Sequence, residues 1–191
     1  FESLVANTTG ADNVAVGKGT LDANTTGTKN NALGNYALST NTTGANNVAI
    51  GHESLVNNTT ASNNVAIGHT ALFANTTGAG NTAVGALAAD AVTTGANNTA
   101  LGFTSASKIT TGTRNVALGA YANQEGTTGD DNVYVGYAAG ASTTTSSDNT
   151  ALGSYALTAI TTGSYNTALG RDALSANTTA GNNTAVGYSA L

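Results

Sequence analysis

The sequence predicts an all-β protein, a parallel β-solenoid of 17-residue coils, and three observations lead there. Gly17 is followed at every seventeenth residue by another glycine, through Gly34, Gly51 and Gly68 to Gly170 and Gly187, without insertion or deletion. Apolar residues hold fixed phases within that period. One phrase also returns almost unchanged, since Asn-Val-Ala-Ile-Gly-His opens at Asn47 and again at Asn64. A period this short and strict marks stacked coils, none of which can bury its apolar face alone.

The 191 residues hold eleven repeats plus four residues, so 1–191 reads as one continuous repeat domain. Phe1 to Leu4 and Tyr188 to Leu191 share a phase, which would allow end-to-end stacking of uncapped coils. The chain opens in mid-repeat without an initiator Met, and the expectation is a segment of a longer protein.

Each coil opens with Asn, from Asn13 through Asn47 and Asn64 to Asn183. In a parallel stack these side chains form a column with a spacing of about 4.8 Å, close enough for an amide ladder. Val or Thr, then Ala, then Val, Ile or Leu, then Gly follow, which predicts a strand of about five residues. Its Ala column and its Val/Ile/Leu column point to opposite faces, and neither is polar. One coil has only one interior, so the second face needs a partner, and closed rotational symmetry is the usual way to cover identical faces.

After the glycine come two variable residues, then Ala or Ser, then usually Leu, as at Leu21, Leu38, Leu55 and Leu72. This predicts a second short strand closing the coil. Asn24, Thr25, Thr26 and Gly27 represent the return, whose Asn and Gly suit turn positions of positive φ. Thr59 and Thr60 are the return pair that follows Gly51. Their hydroxyls can satisfy turn backbone groups. An ice-binding array is the alternative, but adjacent Thr side chains diverge, leaving at most one exposed file. Asn-x-Thr triplets at Asn7, Asn24, Asn41, Asn57, Asn58, Asn75, Asn97, Asn177 and Asn182 lie in exposed-looking returns, open to a glycan.

Composition removes several classes of function. The apolar residues keep phase, which a disordered low-complexity tract has no reason to do. Without Cys there are neither disulfides nor thiolate metal sites. Five Lys plus Arg within a formal charge of -5 cannot make a nucleic-acid footprint. No apolar run reaches the roughly 18 residues of a membrane helix, so no membrane contact is expected within this segment. No Asp, Glu, His or Lys recurs at a fixed phase as acid-base or nucleophilic chemistry would require. The expectation is therefore a non-enzyme without cofactor or metal.

The phrase Asn-Thr-Ala-Val-Gly at Asn81 to Gly85, and Asn183 to Leu191 with its Ala-Val-Gly core, resembles the head repeats of YadA-like trimeric autotransporter adhesins. Similar repeats occur in some phage tail fibres. The resemblance covers essentially the whole chain and implies a left-handed β-roll, three copies of which pack about a common axis to form a homotrimeric rod. Two departures stand out: the return is longer than in that family, and Tyr134 interrupts the Ala column. Were that column to lie against the three-fold axis, three tyrosines would meet there.

Binding candidates fall at the variable phases, which are free to differ. Directly after the glycine lie His52, His69, Phe103, Tyr137, Arg171 and Tyr188, with Tyr36, Glu53, Tyr121 and Tyr155 one residue on. Aromatic and polar groups at regular spacing turn weak contacts into avidity; solvated or inter-chain filling is the alternative. His52 and His69 should stack, as a surface pair rather than a metal or pH-sensitive site. Arg114 precedes Asp131 and Asp148 in one column, and Lys29 follows Asp12, so surface charge ladders are expected there rather than a calcium site.

The function expected is an extracellular, cell-surface attachment rod, the head or shaft of a bacterial adhesin. Its partners are copies of itself and a host or surface receptor, protein or glycan. The rivals are a phage tail-fibre or tailspike shaft and a self-assembling extracellular filament.

Overall fold

The computed structural model of the chain, which describes residues 2–191, contains eleven three-residue strands from β1 (Val14–Val16) to β11 (Thr184–Val186). They form one parallel sheet in chain order. Pairing steps by one coil: β3 (Val48–Ile50) sets Ala49 against Ala66 and Ile50 against Ile67 of β4 (Val65–Ile67). This is the β-solenoid expected from the glycine spacing. The strand is shorter than expected, because φ of 133° at Gly51 bends the chain directly after Ile50.

The second strand does not form. At that phase Leu21, Leu38, Leu55 and Leu72 adopt φ of 50° to 55°, in the left-handed region, and the chain turns instead. Backbone hydrogen bonds still run from coil to coil there, as Leu55 N–H donating to Ala71 C=O at 3.0 Å and Thr59 N–H to Thr76 C=O at 3.1 Å. Positive φ in the return also falls elsewhere than expected. Asn24 and Gly27 are free of it, whereas Lys29, Asn46 and Asn63 carry it. Left-handed geometry costs an ordinary residue about 1–2 kcal/mol, and here stacking on both sides holds it in place.

The glycine column is required twice over. At Gly51 and Gly68 φ lies at 133° and 141°, where L side chains are strained, and a Cβ on Gly51 would run into the Gly68 carbonyl. That contact is what lets successive coils approach so closely.

The Ala column points inward, and Ala32, Ala49, Ala66 and Ala83 are buried with Leu21, Leu38, Leu55 and Leu72. This corrects the expectation for Tyr134: its ring lies within its own coil, fully buried, rather than between chains. Space comes from Gly140, which replaces the Leu of its column and whose Cβ would strike the Tyr134 ring. The hydroxyl donates to Asn132 Oδ1 at 3.2 Å and accepts from Thr143 Oγ1 at 3.1 Å, and burial pushes the phenol pKa up.

Two amide columns line the interior. Asn47 and Asn64 belong to the first, as expected: Asn47 Oδ1 accepts the Asn64 backbone N–H at 3.0 Å, while Asn64 Nδ2 donates to the Gly78 carbonyl at 3.0 Å. The second is Asn24, Asn41, Asn58 and Asn75, fully buried, each amide donating to the preceding Oδ1 at 2.9 Å. A glycan cannot attach at these four, contrary to the exposed reading of the returns; Asn7, Asn97 and Asn182 remain exposed.

The column stops where Val92 replaces Asn, and Asn75 Oδ1 is left buried without a partner. From there the coils exchange volume between two phases. Ala89 and Ala106 replace Leu while Val92 and Ile109 replace Asn, so a small residue beside a large one keeps the interior filled.

Thr59 and Thr60 divide the work of the return. Thr59 Oγ1 donates to the Thr76 carbonyl at 3.2 Å, whereas Thr60 is exposed. Only one file of the threonine pair faces outward.

Candidate functional site

Because each strand turns one side chain inward, it turns two outward, and these form two parallel files along the rod. The second is apolar throughout, from Val16, Leu33, Ile50 and Ile67 to Leu152, Leu169 and Val186; eight of its eleven members are exposed, up to 66% at Val186, while Val84, Leu118 and Val135 are half-buried. The first is Val or Thr in all coils but one, where Asn31 stands. No charged residue occupies either file. Parallel sheets are normally covered on both faces, so an uncharged outer face carrying an apolar file of this length lacks its usual cover.

Beside this face, the glycine and the left-handed residue two positions on set the direction of the variable side chains. Glu53, Tyr121 and Tyr155 have φ of 56°, 61° and 60°. His52 and His69 stack as expected, with ring centroids 5.5 Å apart and planes 9° from parallel. Glu53 Oε2 lies 3.8 Å from His52 Nδ1. Among the described residues no group of three or more His, Cys, Asp or Glu is placed to hold a metal ion.

Four of the proposed binding residues meet in one line. Phe103, Tyr121, Tyr137 and Tyr155 come from successive coils, alternating between the two variable phases. Their centroids are 5.6, 5.5 and 5.4 Å apart and each pair is edge-to-face. Such pairs are worth about 0.5–1.5 kcal/mol beyond their area. In the next coil Arg171 Nε lies 3.2 Å from Asp172 Oδ2. The remaining candidates stand apart from this line. Lys18 Nζ sits 5.8 Å from the centre of the Tyr36 ring, at a cavity of about 450 Å³ that Glu2, Gly19 and Asp22 also line. Tyr188 is exposed and joins no aromatic pair among the described residues.

The charge ladder forms at Arg114, whose Nε and Nη2 donate to the two carboxylate oxygens of Asp131, both at 2.6 Å. That hydrogen bonding holds the Asp131 carboxyl below its ordinary range and raises Arg114. Asp130 Oδ1 accepts from the Thr113 backbone N–H at 2.7 Å and from its hydroxyl at 2.9 Å. No ion pair joins Asp12 and Lys29 among the described residues, while Lys108 and Glu125 form one at 2.6 Å that sequence reasoning missed. The signal was present, because those two residues are one period apart with opposite charge.

No helix is long and apolar enough to cross a membrane among the described residues. No protein-family model, curated protein or solved structure matches the chain.

Proposed function

We propose that this chain is a non-enzymatic extracellular attachment rod, the head or shaft of a bacterial surface adhesin, working as a homotrimer of left-handed β-rolls. The observation that carries the reading is the uncharged apolar outer face of the sheet, with Ile50 and Ile67 on adjacent coils. Covering a Val, Leu or Ile is worth up to about 1.5–3 kcal/mol, and identical faces are covered most simply by closed rotation. The number three and the hand of the coil come from the resemblance to adhesin head repeats. The assembled rod extends some 50 Å at about 4.8 Å per coil.

The seam leaves the variable phases to vary from coil to coil, and rows of side chains there offer many weak contacts to a receptor. An attachment assay tests this. Beads carrying the folded chain should be retained under flow on cultured cells or on matrix-coated glass, and beads carrying the heat-denatured chain should wash off. Equal retention of the two would remove the attachment role.

A further inference from the structure

The aromatic line from Phe103 to Tyr155 has a geometry beyond what general adhesiveness requires. Four rings on four consecutive coils keep steps of 5.4 to 5.6 Å, and the strip carries no formal charge. Phe103 and Tyr137, exposed by 47% and 46%, share one phase two coils apart. Two coil rises are about 9.6 Å, close to the length of a disaccharide in an extended β-linked glycan. Tyr121 and Tyr155 repeat that separation at the neighbouring phase.

In an edge-to-face pair one ring lies with its plane along the line joining the centroids. Neighbouring rings are turned 70° to 90° from one another, so a pyranose has alternate rings to stack on, those whose faces no neighbour's edge occupies. Tyrosine hydroxyls on three of the rings, and the Arg171–Asp172 pair on the next coil, supply donors and acceptors for sugar hydroxyls.

We infer that this strip binds an extended, uncharged, β-linked polysaccharide laid along the rod. The site rests on the attachment reading and gives it a ligand class. A folded protein partner fits less well, because a stable protein interface covers about 800 Å² per side and favours pockets for its anchors. The cavity at Tyr36 supplies no such pocket here, since it lies coils away from these rings. An anionic polymer would meet no basic residue among the four rings, and Arg171 on the next coil already lies against Asp172.

The test is affinity electrophoresis of the full chain in native gels containing hydroxyethyl cellulose or glycol chitin. Titration with cellohexaose and chitohexaose follows, read by fluorescence of the 7 Tyr in a chain without Trp. Retardation by at least one polysaccharide is expected. Tyr137→Ala, at the more exposed phase, should weaken it about tenfold. Tyr137→Phe should retain most of it, and Tyr165→Ala, which removes an exposed ring away from the strip, should leave it unchanged.

Absence of retardation by both polymers would overturn the site, as would equal effects of Tyr137→Ala and Tyr165→Ala. A drop in oligomer mass for Tyr137→Ala would assign the strip to chain–chain contact and overturn it too. Beads retained on cells by a chain that neither polymer retards would leave attachment standing and remove this ligand. Retardation without bead retention would support the site and remove the cell-attachment role.

Discussion

Tyr134 and Gly140 share one space inside the solenoid: the ring fills the volume that Leu55 or Leu157 occupies in its own coil, and a Cβ on Gly140 would strike it. Gly140→Leu should therefore overpack the coil, at a cost of about 1–3 kcal/mol, and Tyr134→Ala should leave a cavity costing about 3–5 kcal/mol. Tyr134→Ala with Gly140→Leu rebuilds the pair that the next coil carries as Ala151 and Leu157, and should cost far less than the sum. Urea melts of the four proteins measure that coupling; simple additivity would show that the two sites are independent.

The second amide column makes a graded prediction. Asn58→Ala removes the acceptor of Asn75 Nδ2 and the donor to both Asn41 Oδ1 and the Ala61 carbonyl. Asn41 Oδ1 is then left without a partner and Asn75 Nδ2 with the Gly78 carbonyl alone, while the Ala61 carbonyl keeps Asn47 Nδ2; a buried group left unpaired costs about 1–3 kcal/mol. Asn75 Oδ1 already has no partner, so Asn75→Ala strands fewer groups and should be the milder change. Thermal unfolding ranks the two, and the reverse order would contradict the hydrogen-bond assignment.

At Gly51 an added methyl meets both a left-handed backbone and the next coil's carbonyl. Gly51→Ala should cost more than the roughly 1–2 kcal/mol lost on forcing an ordinary residue into left-handed φ. Gly44→Ala also brings a Cβ against the next coil's carbonyl, at Ala61, but without a left-handed backbone, and Ala61 and Ala180 stand at that phase already, so it should be better tolerated. Circular dichroism melts of both variants compare the sites.

Asp90 is half-buried, and desolvation raises its carboxyl above the ordinary 3.8. A carboxyl whose folded pKa is raised loses stability as pH climbs from its unfolded value through the folded one. Asp90→Asn should consequently raise the melting temperature at pH 7, and the gain should vanish below about pH 3.8. An equal gain at both pH values would trace the effect to shape rather than charge.

Much of the fold was legible because every seventeenth residue meets the same neighbours. The parallel register, the opposed Ala and Val/Ile/Leu columns, the His52–His69 stack and the Arg114–Asp131 pair all follow from phase. The turn replacing the second strand was not legible, because Leu38, Tyr36 and Glu53 carry no compositional sign of left-handed φ. The burial of Asn24 and its column-mates was hidden likewise, since Asn beside Thr and Gly reads as a solvated turn. The housing of Tyr134 was recoverable only by comparing two phases at once, where Gly140 answers the larger ring. Of the candidate binding residues, phase placed the aromatics near one another, while the unbroken contact of four rings depends on side-chain directions that spacing does not specify.

The proposed seam along Ile50 and Ile67 is tested most directly by light scattering on the purified chain over a concentration series. Three chains of 18.6 kDa in one particle are expected, with Ile50→Lys plus Ile67→Lys releasing single chains of unchanged circular dichroism. A wild-type particle of single-chain mass at every concentration would contradict the account.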